Sequence, residues 1–205
     1  MKRSNYYAHV HKSLRYALSR LLIQAGQTGS DTAEIAKLSQ MMHEVFFFLH
    51  FHAENENTDL LPALAGLDEK SPRRDLDEHQ KLDELATQLQ VRLENFPLDA
   101  EDNWLWYLDL NAYVALQLEH MNREERETLP ALHKHFTDEE IAAFGSRSVA
   151  RANETQRSMM LGWMFQALSR EESAQYLAKL QAVVPAESFT EIQKIANLAQ
   201  ESRLR

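Results

Sequence analysis

His11, His52, Glu56 and Pro62 recur 68 residues later as His79, His120, Glu124 and Pro130. The local unit is His-x3-Glu-x5-Pro. It reads His52 to Glu56 followed by Leu60, Leu61, Pro62, Ala63 and Leu64, and then His120 to Glu124 followed by Thr128, Leu129, Pro130, Ala131 and Leu132. Repetition in one register marks a duplicated structural unit. Two copies supply four imidazoles and two carboxylates, enough nitrogen and oxygen donors for two transition-metal ions. Each glutamate has two oxygens, and two negative charges help balance two divalent ions, so Glu56 and Glu124 are the natural bridging groups. Binding requires neutral histidine and ionised glutamate. Iron, manganese, cobalt and zinc all tolerate this set, and iron is favoured for redox chemistry.

The phase of the repeat selects among competing histidines. Residues four apart on a helix share a face, so His52 with Glu56 and His120 with Glu124 each aim at one point. His50 and Glu54 have the same spacing but lie about 200° around the helix from His52. Their counterparts are Leu118 and Asn122, so the repeat favours His52 and Glu56. His43 reads as a surface residue, His9 is nearly opposite His11, and His133 and His135 lack a pairing. Tyr113 and Val45, each seven residues before a ligand histidine, read as packing around the site. The alternative is a metal-free scaffold with buried, hydrogen-bonded histidines. A duplication kept for packing alone gives no reason to retain polar residues where leucine packs at lower cost.

Helical periodicity supplies the elements that position these residues. A first helix is expected over about 5–27, a second over 32–65 with loosening at Pro62, a third over 75–95, and a fourth from about Asp99 through Pro130 toward His135. Asp31 and Glu34 have capping-box spacing, as do Thr137 and Glu140. Short connections make neighbouring helices antiparallel, which predicts an all-α fold, an up-down-up-down four-helix bundle with additional C-terminal helices. In that arrangement His11 and His79, near helix starts, fall level with His52 and His120, near helix ends. Residues 1–135 are assigned to the bundle. Residues 136–205 are read as accessory helices over about 137–168, 170–183 and 187–201. Phe144, Met159, Met160, Trp163, Met164 and Phe165 form a surface for the bundle or for a subunit interface, which would give a homodimer.

Composition narrows the classes. The chain has 205 residues, enough for a sizeable core without staples. It has no cysteine, which removes thiolate sites, thiol catalysis and disulfides together. A formal charge of −9 disfavours nucleic acid and anionic membrane as partners. No apolar stretch is long enough to span a bilayer, and a signal peptide's apolar middle is lacking near residue 1, so a cytoplasmic location is expected.

At His11, His52/Glu56 with its Leu-Pro, His79, and His120/Glu124 with its Leu-Pro, the sequence resembles the hemerythrin-like, HHE cation-binding family over about residues 5–135. The resemblance implies a non-haem di-iron centre with His11, His52, Glu56, His79, His120 and Glu124 as ligands, holding two iron ions per chain with a bridging oxo or hydroxo group, zinc or manganese being substitutes. It implies a small diatomic ligand or peroxide as partner: binding or sensing of dioxygen, nitric oxide or peroxide, or else an oxidoreductase acting on them, or iron handling. One departure matters. Oxygen-carrying hemerythrins have a further histidine four residues after the equivalent of His79, and here that position is Asp83. One imidazole fewer points to more open coordination.

Overall fold

Caps and prolines set the helix boundaries. A computed structural model describes residues 3–67, 70–96, 100–182 and 184–202. Within them the regular structure is entirely helical. α1 spans Ala8–Gln27 and α2 Thr32–Asn55. Asp31 caps α2 by accepting from the amides of Ala33 and Glu34, while the Glu34 carboxylate turns back to the Gly29 amide. α3 is Leu61–Ala65, α4 Ser71–Leu93, α5 Ala100–Arg123 and α6 Leu129–His135. α4 begins ahead of the expected Asp75 because Pro72 sits in its first turn, where a missing N–H goes unused. The expected start at Asp99 lies outside the described residues.

Two π turns interrupt the long helices, Glu56–Leu60 after α2 and Glu124–Thr128 after α5. Their cause is the proline two residues beyond each. Pro62 has no N–H for the carbonyl of Thr58, so the α ladder cannot close there. The Leu61 amide instead bonds the Glu56 carbonyl five residues back, and Leu129 bonds Glu124 in the same way. The loosening expected at Pro62 therefore lies on its N-terminal side and begins at the glutamate itself.

α1 packs on α2 and α5, and α4 packs on the same two helices, closing a ring of four. Inside it lies the main core, including Leu14, Leu18, Leu21, Leu38, Met42 and Trp106. A second cluster of Tyr7, Leu60, Leu61, Leu64, Leu129 and Leu132 gathers around α3 and α6. On α1 and α2 the ligand-type residues fall between these two clusters, His11 between Tyr7 and Leu14, and His52 and Glu56 between Leu49 and Leu60.

The C-terminal segment forms α7 Asp138–Arg151, α8 Glu154–Ala167, α9 Arg170–Gln181 and α10 Ala186–Ser202. Thr137 and Glu140 form the expected capping box. The single helix expected over 137–168 is two, because Ala152 is extended and Asn153 starts α8 with its own capping box to Gln156. α8 lies along α1, where Trp163, Met159 and Met160 join the main core. Phe165, expected on that surface, points the other way and packs with Ala196 and Ala199 of α10. No described helix is long and apolar enough to cross a membrane.

Candidate metal centre

Each of the four long helices delivers one histidine to a common layer, and the two π turns deliver the glutamates. His11 comes from α1, His52 from the end of α2, His79 from α4 and His120 from the end of α5. Glu56 and Glu124 open the π turns. All six side chains are buried, and His52 is the most accessible at 9%.

The imidazoles meet in two pairs. His11 and His52 bring their Nε2 atoms to 2.9 Å, and His79 and His120 do the same. Two ligands at right angles on a metal with bonds of about 2.1 Å stand about 3.0 Å apart, so each contact has the span of one edge of a coordination polyhedron. Glu124 joins the pairs through separate oxygens: Oε2 lies 3.3 Å from His11, and Oε1 lies 3.1 Å from His120 and 3.5 Å from His79. Glu56 places Oε2 3.6 Å from His52 and 3.5 Å from His79. The four carboxylate oxygens are buried with no hydrogen-bond partner of good geometry. The tightest groupings are His11, His52 and Glu124, and His79, His120 and Glu124.

The outer ring nitrogens explain why a cation belongs between the histidines. His120 Nδ1 lies 2.8 Å from Glu78 Oε2, and His79 Nδ1 lies 2.7 Å from Asn57 Oδ1. Both acceptors require N–H on the Nδ1 side, so neutral His79 and His120 face each other with lone pairs at Nε2. Such a contact at 2.9 Å is repulsive until a cation, a metal ion or an added proton, occupies it. Burial pushes His120 down, but Glu124 and Glu78 outweigh it and raise the imidazole to about 9. His52 goes the other way, well below the ordinary value, because burial and then the neighbouring His11 disfavour its charge.

The glutamates are split as well. Burial and the charge of Glu124 push Glu56 well above the carboxylate range. Burial also opposes ionisation of Glu124, yet His120, His11 and His79 outweigh it and hold that carboxyl well below the range. Two buried carboxylates with four inward nitrogens and no hydrogen-bond donors of their own fit divalent metal, which would satisfy all of them together.

A small cavity opens on the main-core side of this layer, lined by His52, His79, His120, Gln117, Leu14 and Leu82 among others. It leaves about 10 Å³ for the centre of a water-sized molecule. Gln117 is held by donating from Nε2 to the Tyr113 hydroxyl at 2.8 Å. Asp83 stands at the edge of the cavity, half exposed, with the His50 ring nitrogen 3.1 Å from its carboxylate. His50 is thus on the surface, away from the four inward imidazoles. His133 bonds the Ser4 carbonyl and His9 meets the edge of Tyr176, so neither joins the cluster.

The model of the hemerythrin HHE cation-binding domain matches residues 4–132, more than half of the chain. The chain belongs to that family. Comparison with curated proteins and with solved structures gave no match. The hemerythrin match ends at Leu132 in α6, so α7 to α10 lie beyond it.

Sequence reasoning missed the residues that hold this hemerythrin-type cluster from outside. Glu125 accepts from His11 Nδ1 at 2.9 Å and is braced by Arg15 at 2.7 Å. His11, ahead of Arg15, holds Glu125 down at about 2 against the cost of burial. Glu78 likewise sits at about 2, where His120 and Arg123 overcome its burial. Asn57 and Glu125 occupy equivalent places in the 68-residue repeat, one step after each glutamate, and that was the available signal. Tyr7, fully buried and stacked on His11 at 4.5 Å between centroids, was likewise unmarked by the histidine spacing.

Proposed function

We propose that this protein is a non-haem di-iron protein in which His11, His52, Glu56, His79, His120 and Glu124 hold the metals, and that it binds or senses dioxygen, nitric oxide or peroxide. The observation that carries the reading is the pairing of the four Nε2 atoms, 2.9 Å apart in each pair, joined by a carboxylate whose two oxygens serve different pairs. The closed contact ring of α1, α2, α4 and α5 supports an antiparallel up-down-up-down bundle over residues 1–135, with 136–205 as a cover. When bound, iron supplies reversible one-electron chemistry and open positions for a small ligand.

The chain's residues do the rest. Glu125, Asn57 and Glu78 fix the orientation of His11, His79 and His120. Leu14, Leu49, Leu82 and Met121 keep bulk water from the cavity, while Gln117 presents a polar wall anchored by Tyr113. Room for little more than a water-sized molecule suits a diatomic ligand or peroxide. The reading includes a cytoplasmic setting, where reductants are at hand.

Anaerobic reconstitution with ferrous iron, followed by metal counting and optical spectra before and after addition of oxygen, nitric oxide or peroxide, tests the reading. Two iron atoms per chain and a ligand-dependent visible band are expected. A chain that retains no iron overturns it. Sustained consumption of peroxide, oxygen or nitric oxide would instead place the protein among oxidoreductases, a reading favoured by the position of Asp83 where the cavity meets the surface.

A further inference from the structure

The repeat brings the same ligands to both halves of the site but not the same supports. Asn57 and Glu125 correspond across the 68 residues, and each accepts from the Nδ1 of a first-helix histidine, His79 and His11 respectively. Glu78, which accepts from His120, has Val10 as its counterpart. Val10 is partly buried against the main core and offers no acceptor. His52 Nδ1 therefore makes no hydrogen bond among the described residues, whereas the other three imidazoles are each fixed from outside.

That difference has chemical content. With Nδ1 free, His52 can carry its proton on Nε2 and donate it to the lone pair of His11, 2.9 Å away. The His11/His52 pair is then closed without any ion. His79 and His120 have no such option while neutral, because both of their protons are committed to Asn57 and Glu78. A metal entering the first pair must fix the free His52 ring; one entering the second pair meets two rings already oriented by Asn57 and Glu78 behind them.

Resting on the di-metal reading above, we infer that the two metal positions are inequivalent: the His79/His120 half is the high-affinity position that fills first, and the His11/His52 half is the exchangeable one. Outer partners of metal-bound histidines are worth about 10–100-fold in affinity, so the two steps should differ by at least about tenfold.

Titration of the full metal-free chain with cobalt(II), against a competing chelator and followed by its visible absorption, measures both steps. Two steps of unequal affinity are expected. His79→Ala should abolish the tight step, and His52→Ala should abolish the weak one while leaving the tight one in place. Asn57→Ala, at a partly exposed position, should weaken the tight step about tenfold. Val10→Glu should strengthen the weak step and close the gap. A second readout needs no metal: nitrogen-15 correlation spectra of the metal-free chain should show His52 as the Nε2–H tautomer and His11 as the Nδ1–H tautomer. Equal steps, loss of the tight step in His52→Ala, or an Nδ1–H tautomer at His52 overturn the inference while leaving a di-metal protein. Failure to bind any metal overturns the di-iron reading itself.

Discussion

The α1–α2 hairpin and the α4–α5 hairpin present the same three candidate ligands each, yet much of what stands one layer out has diverged. One turn before its histidine, the first hairpin has Tyr7 and the second has Asp75, both fully buried. Facing them in the π turns are Leu60 and Thr128, again equivalent positions. Tyr7 packs with Leu60 in an apolar cluster, and its buried hydroxyl lies beside Glu56 without a hydrogen bond of good geometry. Asp75 instead accepts from Thr128 Oγ1 at 2.6 Å and pairs with Arg74 at 2.9 Å. The first π turn is tied to the C-terminal segment, with Arg151 reaching Asn55 and Asp59. The second is tied within the bundle, Arg74 reaching Glu127. The comparison teaches that the repeat keeps the six candidate ligands strictly and their surroundings loosely: an apolar pair and an ionic network can each join the first helix of a hairpin to its π turn.

The largest test of that comparison strikes what the hairpins share. Glu124 contacts three imidazoles through two oxygens and Glu56 contacts two through one. Glu124→Ala should lower iron after reconstitution to one atom per chain or fewer, and Glu56→Ala should lower it less, both read by metal counting. Next comes the ionic half: Asp75→Ala strands the buried Thr128 hydroxyl and takes from Arg74 one of its carboxylate partners, and should lower stability in urea denaturation of the metal-free protein by about 2–3 kcal/mol. Tyr7→Phe, at the equivalent place, removes a hydroxyl with no hydrogen bond of good geometry and should change stability by under about 1 kcal/mol in the same assay. Equal losses at the two positions would erase the proposed contrast between apolar and ionic support.

The smallest effect concerns the cover. Lys12 of α1 pairs with Glu172 of α9 at 2.5 Å, both partly exposed. Lys12→Ala should lower stability by no more than about 1 kcal/mol. Lys12 and the Ser169 amide hold Glu172 at about 2, below its ordinary 4.5, so this contribution is present above pH 4.5 and is lost as pH falls from there toward 2. The gap between parent and variant should therefore be smaller near pH 3.5 than near pH 6.

Much of this was legible because it is written in spacing. His11, His52, Glu56, His79, His120 and Glu124 share one register, and the structure gathers all six side chains. The preference for His52 over His50 also followed from phase, and His50 is indeed at the surface beside Asp83. The supports were harder to read because they are the part in which the copies differ. Val10 against Glu78 and Tyr7 against Asp75 look like unrelated substitutions until the fold shows that each stands beside a ligand. The break at Ala152 was missed for another reason. The apolar pattern from Phe144 to Phe165 runs through it, and only the Asn153–Gln156 spacing signals a new start.

The π turns carry a consequence for how such a site tolerates insertions and deletions. Each turn accommodates one residue more than a regular helix needs between the glutamate and the Leu-Pro that follows. Removing a single residue between Glu56 and Pro62 would let the turn close as ordinary α-helix with Leu61 and Leu64 still facing as they do, because the turn absorbs the surplus residue. Removing a second would displace them by about 100° around the axis, so that the helix would survive and the seal above the histidines would not. In this fold a one-residue surplus in the backbone count is what lets the stretch between ligand and lid lose a residue without turning the two apart.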